Sequence, residues 1–403
     1  MKKITIFSSS GGGGHTAVAN ALCAYLDTHY EVEVTNVFSQ MLRPLDFAQS
    51  LSKGKFCGED FYNFCMAKKW YQVLNIYYRL GSTYYQLFNK KVVRILHQHL
   101  DEKQPDLIIS VVPLVNHCIL KVAQERNIPF LLIPTDLDIS TFIAGIKNPS
   151  FDQFNLALAY SNQGMEKKIS TAHIQPSQYI TTGFVLRPDF FEYKNKADIK
   201  KQYNIPLEKP VVLLLLGAVG LKALYDFVVE LSKVSVATHL LICIGRQEEL
   251  RKKIEVFPFP SHISITVIGF TNRISDLMAV SDLSITKSGS VSFSEALYMN
   301  LPMVLDATTS LLRWEAYNHQ FIEQNGFGTT IKNITQLSIL VTKLLKEKND
   351  LIFYKFNLTA FAKKHGGNEI TQLIHKIMVS ESKCQVVWKK DEKSIIGEWD
   401  GDL

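Results

Sequence analysis

The chain has 403 residues, a formal net charge of +6 and 46% hydrophobic residues, enough for two domains with ordinary cores. So mild a charge over this length argues against nucleic acid as the main partner, while leaving room for a local basic face. Six scattered cysteines (Cys23, Cys57, Cys65, Cys118, Cys243 and Cys384) form no Cys-x-x-Cys pair, which argues for reduced thiols in a cytoplasmic protein and against a disulfide frame or zinc site.

The first predicted strand is Ile4-Thr5-Ile6-Phe7. It runs into Ser8-Ser9-Ser10-Gly11-Gly12-Gly13-Gly14-His15, and an amphipathic run over 17–25 follows. Four consecutive glycines cost backbone entropy on ordering, so they make sense where the backbone must approach a ligand closely. The loop lacks the Gly-x-Gly-x-x-Gly spacing of dinucleotide sites and the Gly-Lys-Ser/Thr ending of a P-loop. Residues 32–37 alternate as a second strand. Between 61 and 96, ten aromatics interleave with Lys68, Lys69, Arg79, Lys90, Lys91 and Arg94. Helices of that composition suit an interface with anionic lipid, and core packing accounts for about half of the aromatics. Residues 41–100 are therefore expected to face the membrane. No segment is long and apolar enough to span it.

Further strands are predicted over 106–112, 129–133, 156–160 and 179–182. A charged stretch, 192–210, separates them from a second set over 210–217, 239–244, 263–268, 283–286 and 302–305. Continuous apolar strands alternating with helices imply parallel sheets covered on both faces. The expected fold is α/β: two doubly wound, Rossmann-like domains, 1–190 and 191–380, facing a central cleft, with a tail over 381–403. Ligands of such sheets lie beyond the carboxyl ends of the strands, where both glycine turns fall.

The second turn is Lys287-Ser288-Gly289-Ser290-Val291, opening a predicted helix that carries Glu295. Backbone N–H groups at a helix start favour a phosphate. A carboxylate farther along suits two adjacent hydroxyls, such as those of a ribose. His15 is the candidate catalytic base, since imidazole titrates near neutral pH. Asp136, after the strand 129–133, either orients His15 or serves as the base itself. No carboxylate pair stands at metal-ligand spacing, so neither a metal nor another cofactor is called for.

Taken in order, these motifs resemble the monogalactosyldiacylglycerol synthase and processive diacylglycerol glucosyltransferase group of GT-B type glycosyltransferases, with the lipid II-forming MurG enzymes more distant. The resemblance rests on Ser10-Gly11-Gly12-Gly13-Gly14-His15, Pro105 to Ser110, Pro134-Thr135-Asp136-Leu137, Thr182 to Pro188, Ile268-Gly269-Phe270, Thr286 to Ala296 and Glu315-Ala316-Tyr317-Asn318. It implies a UDP-sugar donor, a diacylglycerol acceptor, inversion, and action on an anionic membrane surface, at the inner face of the cell membrane. It also implies substrate contacts at Gly12, Gly13, Gly14, Gly217, Arg246, Phe270 (beside a uracil), Lys287, Ser288, Gly289, Ser290, Val291, Glu295 (ribose), and Glu315 with Asn318 (hexose).

The chain departs from the family at Arg313-Trp314, where a Gly-Gln pair is usual, and at Phe184-Val185-Leu186, which lacks an inner proline. Gly217-Ala218-Val219-Gly220 keeps only part of a glycine loop, and the tail from Lys383 has no counterpart. Two other activities fit the same residues: a MurG-like N-acetylglucosaminyltransferase acting on a polyprenyl-linked acceptor, and a non-catalytic nucleotide-sugar or lipid-binding protein.

Overall fold

The computed structural model describes residues 1–379 apart from 47, 50, 51, 53, 55 and 218–220; the expectations for Ala218 to Gly220 and for the tail lie outside the described residues. Two six-stranded, all-parallel sheets form the frame. The first holds β1 (Lys3–Ser8), β2 (Glu31–Asn36), β3 (Leu107–Ser110), β4 (Phe130–Leu132), β5 (Phe154–Leu158) and β6 (Tyr179–Thr181), in the order β2-β1-β3-β4-β5-β6. The second holds β7 (Val211–Leu215), β8 (Thr238–Gly245), β9 (Ile263–Gly269), β10 (Leu283–Thr286), β11 (Met303–Asp306) and β12 (Gly328–Ile331), in the order β12-β11-β10-β7-β8-β9.

Central strands carry unbroken apolar runs because helices cover both of their faces: Ile4, Ile6, Leu107, Ile108 and Ile109 are at most 1% exposed. Each order reverses once, between β1 and β3 and between β7 and β10. The loops after those strands diverge and leave a crevice at the carboxyl edge. Both glycine turns leave the sheets at these two points.

Three features differ from the sequence expectation. Strand β12 was not anticipated, since Gly-Thr-Thr-Ile has little apolar signal. The strand expected over 32–37 stops at Asn36, whose side chain accepts hydrogen bonds from the Phe38 and Ser39 N–H groups and turns the chain into a short π-helical segment, Val37–Met41. The helix Gly366–Val379, assigned by sequence to the second domain, packs on the first. There Lys2 Nζ donates to the Met378 carbonyl at 2.5 Å, and Gly367 leaves room for Tyr25. Among the described residues, no helix is long and apolar enough to cross a membrane.

Candidate functional site

The first glycine turn feeds the helix Gly14–Leu26. Gly12 and Gly13 have φ of 71° and 80°, a region closed to most side chains, and Gly13 stands at the N-cap with no side chain capping the helix. The turn is held from outside: Glu59, itself buried, accepts from Ser10 N at 2.6 Å and Ser10 Oγ at 2.7 Å. The second turn feeds the helix Ser290–Tyr298, whose N-cap Gly289 again has no capping side chain. A Cβ on Gly14 would lie 3.7 Å from Val291 Cγ2, so the two helix starts meet. Two uncapped, positively polarised helix ends thus converge on one cleft.

That cleft has a volume of about 780 Å³. Gly12, Gly13, Gly14, His15, Asp136, Gly217, Arg246, Phe270, Lys287, Gly289, Ser290, Val291 and Glu315 all line it. Arg246 sits 4.7 Å over the ring of Phe270, which is 63% exposed and forms a flat platform at one end. Lys287 Nζ contacts Tyr71 Oη at 3.4 Å.

His15 is the second residue of its helix, and its Nδ1 shares a 2.8 Å hydrogen bond with Thr135 Oγ1. Burial lowers its pKa to about 4, against opposing pulls from the Val111 backbone and from Glu59. The ring is therefore neutral around pH 7, which corrects the expectation that it titrates there. Asp136 turns the other way, accepting from Ser290 Oγ across the cleft at 2.9 Å. Desolvation raises its pKa to about 6, the Ser290 bond opposing. Glu315 faces the Ser288 hydroxyl at 3.4 Å, and desolvation raises it to about 7, with Lys287 opposing.

Three expected contact residues lie behind the cleft wall. Ser288 is 1% exposed. Asn318 is fully buried and donates to the Ser288 carbonyl at 2.6 Å, so it braces the turn from behind. Glu295 is also buried, with Arg187 Nη2 3.9 Å from its Oε1. Burial lifts its pKa to about 8 despite that guanidinium.

A carboxyl group whose pKa is higher in the fold than in the unfolded chain binds more protons in the fold. The stability it contributes is complete below its unfolded pKa and is lost as pH rises through about 8. Glu295→Gln, which carries no charging penalty, is expected to lose less melting temperature than the parent between pH 5 and 9. Parallel melting curves across that range would contradict the burial of Glu295.

Sequence reasoning passed over Thr135, Glu59 and Tyr62 as site residues. Tyr62 packs on the glycine turn, within 3.0 Å of a Cβ placed on Gly12. Beside the cleft lies a separate apolar cavity of about 330 Å³, whose walls include Phe38, Tyr77, Leu80, Tyr84, Leu87 and Leu114. Gly11, Tyr62 and Tyr78 border both spaces.

The helix Tyr71–Leu87, which walls this cavity, is apolar on two sides. Tyr71, Leu74 and Tyr85 are buried, while Val73, Ile76, Leu80 and Leu87 are 41%, 61%, 62% and 78% exposed. The two stripes repeat at the same helical spacing, two residues apart, so they lie on opposite faces, and Leu80 and Leu87 of the outward one also edge the cavity. Most of the aromatics between 61 and 88 point inward. The outward stripe is largely aliphatic, with Trp70 at its head and exposed Lys68, Lys69 and Arg79 nearby.

Residues 15–185 match the family model for monogalactosyldiacylglycerol (MGDG) synthase, and residues 211–374 match that for the glycosyltransferase family 28 C-terminal domain. The chain is 26% identical over 397 residues to a processive diacylglycerol beta-glucosyltransferase of Bacillus subtilis, covering 96% of this chain and 99% of that one. It is 26% identical over 423 aligned residues to the chloroplastic monogalactosyldiacylglycerol synthase of Spinacia oleracea, covering 95% and 75%. Among solved structures it resembles Acinetobacter baumannii MurG, with a TM-score of 0.62 at 15% identity over 93% of this chain and 100% of that one. It also resembles the calicheamicin glycosyltransferase CalG4, with a TM-score of 0.57 at 13% identity over 94% and 98%.

Proposed function

Because the chain belongs to the monogalactosyldiacylglycerol synthase and processive diacylglycerol glucosyltransferase family of GT-B type glycosyltransferases, we propose that it transfers galactose or glucose from a UDP-sugar to the free hydroxyl of diacylglycerol, with inversion. The observation that carries this is the pairing of two unlike spaces across one wall. A cleft with two helix N-termini and paired carboxyl groups suits a diphosphate sugar. The apolar cavity beyond Tyr62 and Tyr78 suits acyl chains.

The acceptor oxygen attacks the anomeric carbon as the bond from that carbon to the diphosphate oxygen breaks. The hydroxyl proton passes to His15, whose neutral imidazole does not repel the diphosphate as an ionised Asp136 would. The leaving UDP keeps the bonding electrons, and its charge falls between the two helix starts, with Lys287 beside them and no metal required. Glu315 accepts from hexose hydroxyls, and Phe270 with Arg246 holds the base. The outward stripe of the helix Tyr71–Leu87 and its neighbouring lysines rest on an anionic bilayer, which we place at the inner face of the cell membrane.

The test is an assay with diacylglycerol in anionic liposomes, offering UDP-galactose, UDP-glucose and UDP-N-acetylglucosamine separately and reading lipid mass. A monohexosyl product from galactose or glucose is expected. Product only from UDP-N-acetylglucosamine on a polyprenyl-linked acceptor would favour the MurG-like activity. No product from folded, lipid-bound protein would favour a binding role.

A further inference from the structure

The helix Arg313–Gln324 carries Glu315 near its start and Asn318 one turn later, yet its N-cap residue, Leu312, offers no side-chain acceptor. The acceptor comes from the other domain. Asn75, on the helix Tyr71–Leu87, takes the Arg313 N–H on its Oδ1 at 3.0 Å and donates its Nδ2 to the Leu311 carbonyl at 3.3 Å. One side-chain amide thereby satisfies both polar groups of the entering backbone, as a neighbouring peptide would. Around it, Leu312 is fully buried with Tyr71 and Leu74, and Trp314 lies 4.6 Å from the ring of Tyr78. Glu315 is two residues beyond the captured N–H.

We infer that Asn75 is a positioning residue that caps the Arg313–Gln324 helix in trans and so sets the place of Glu315 in the cleft. An uncapped first turn frays, and fraying here moves Glu315 before it moves Asn318. The helix that supplies the cap is the one with the outward apolar stripe, so one rigid element joins the lipid-facing side of the molecule to the sugar end of the donor cleft. The role of the cap rests on the proposed donor site, but its structural effect can be read without it.

Asn75→Leu keeps the size of the side chain and removes both bonds; Asn75→Asp keeps the acceptor for Arg313. In the ligand-free protein, amide hydrogen exchange over 311–318 is expected to quicken in the leucine variant and less so in the aspartate variant, with 366–379 unchanged. In titrations, the leucine variant is expected to bind UDP-glucose or UDP-galactose roughly five- to tenfold more weakly, while UDP alone changes less than about twofold. Unchanged exchange over 311–318 would overturn the inference. So would equal weakening toward UDP and UDP-hexose with a lowered melting temperature, since that is a general loss of structure. Faster exchange in a protein that makes no glycolipid would leave the cap standing and remove the proposed reaction instead.

Discussion

His15→Ala is expected to lower kcat by about 10²–10⁴-fold, with UDP affinity within about twofold of the parent. The range is what a positioned proton acceptor contributes to such a transfer. Because burial holds the imidazole near a pKa of 4, the ring is unprotonated and free to take the acceptor's proton from pH 5 upward, and kcat of the parent at saturating donor should show no acid limb near 6.5. His15→Gln separates chemistry from packing. It keeps a partner for the Thr135 hydroxyl, which His15 meets at 2.8 Å, but has no basic nitrogen. Both variants should fold and bind lipid as the parent does, and both should be slow. A glutamine variant with parental kcat would move the base to Asp136.

The second large effect belongs to Glu315. Replacing it by Ala is expected to lower kcat/KM for the donor by about 10²–10⁴-fold, since a carboxylate that bonds two hydroxyls contributes about 1.5–3 kcal/mol per bond. Burial raises Glu315 to about 7 in the empty cleft, and only its ionised form accepts from two hydroxyls. Donor kcat/KM should therefore rise with pH through about 7 and level off above it. Glu315→Gln should be weaker overall and flat across that range. A parental profile already flat from pH 6 to 8 would show that Glu315 does not grip the sugar.

Eleven of the twelve strands were legible, the central buried ones as largely apolar runs and the edge strand β2 by its alternation. Strand β12 was not, because its place is fixed by contact rather than composition. A Cβ on Gly328 would lie 2.0 Å from the Met303 carbonyl oxygen, so glycine is required by the approach of β11. The same holds for the helix Gly366–Val379, whose partner Tyr25 is more than three hundred residues away in the chain. Both glycine turns were legible because so many small residues at the end of a strand have few other uses.

What the sequence left open is which face of a helix a residue occupies. Ser290 and Glu295 are five residues apart, about 140° around an ideal helix. With Ser290 facing Asp136, Glu295 must look away, and it meets Arg187 instead. Glu315 and Asn318 are three apart and share a side, so both reach the Ser288 turn, Glu315 from within the cleft and Asn318 from behind it. Asn75 gives no local signal at all, because its partners lie in the other half of the chain.

The reaction proposed for this cleft is a single displacement by a lipid hydroxyl between the two helix starts. It is tested most directly by the anomeric configuration of the glycolipid formed from an α-linked UDP-hexose in diacylglycerol liposomes, read from the anomeric proton coupling of the purified product. A β-linked monohexosyl diacylglycerol is expected. An α-linked product, or UDP and free hexose without glycolipid, would rule out a single displacement on the lipid hydroxyl.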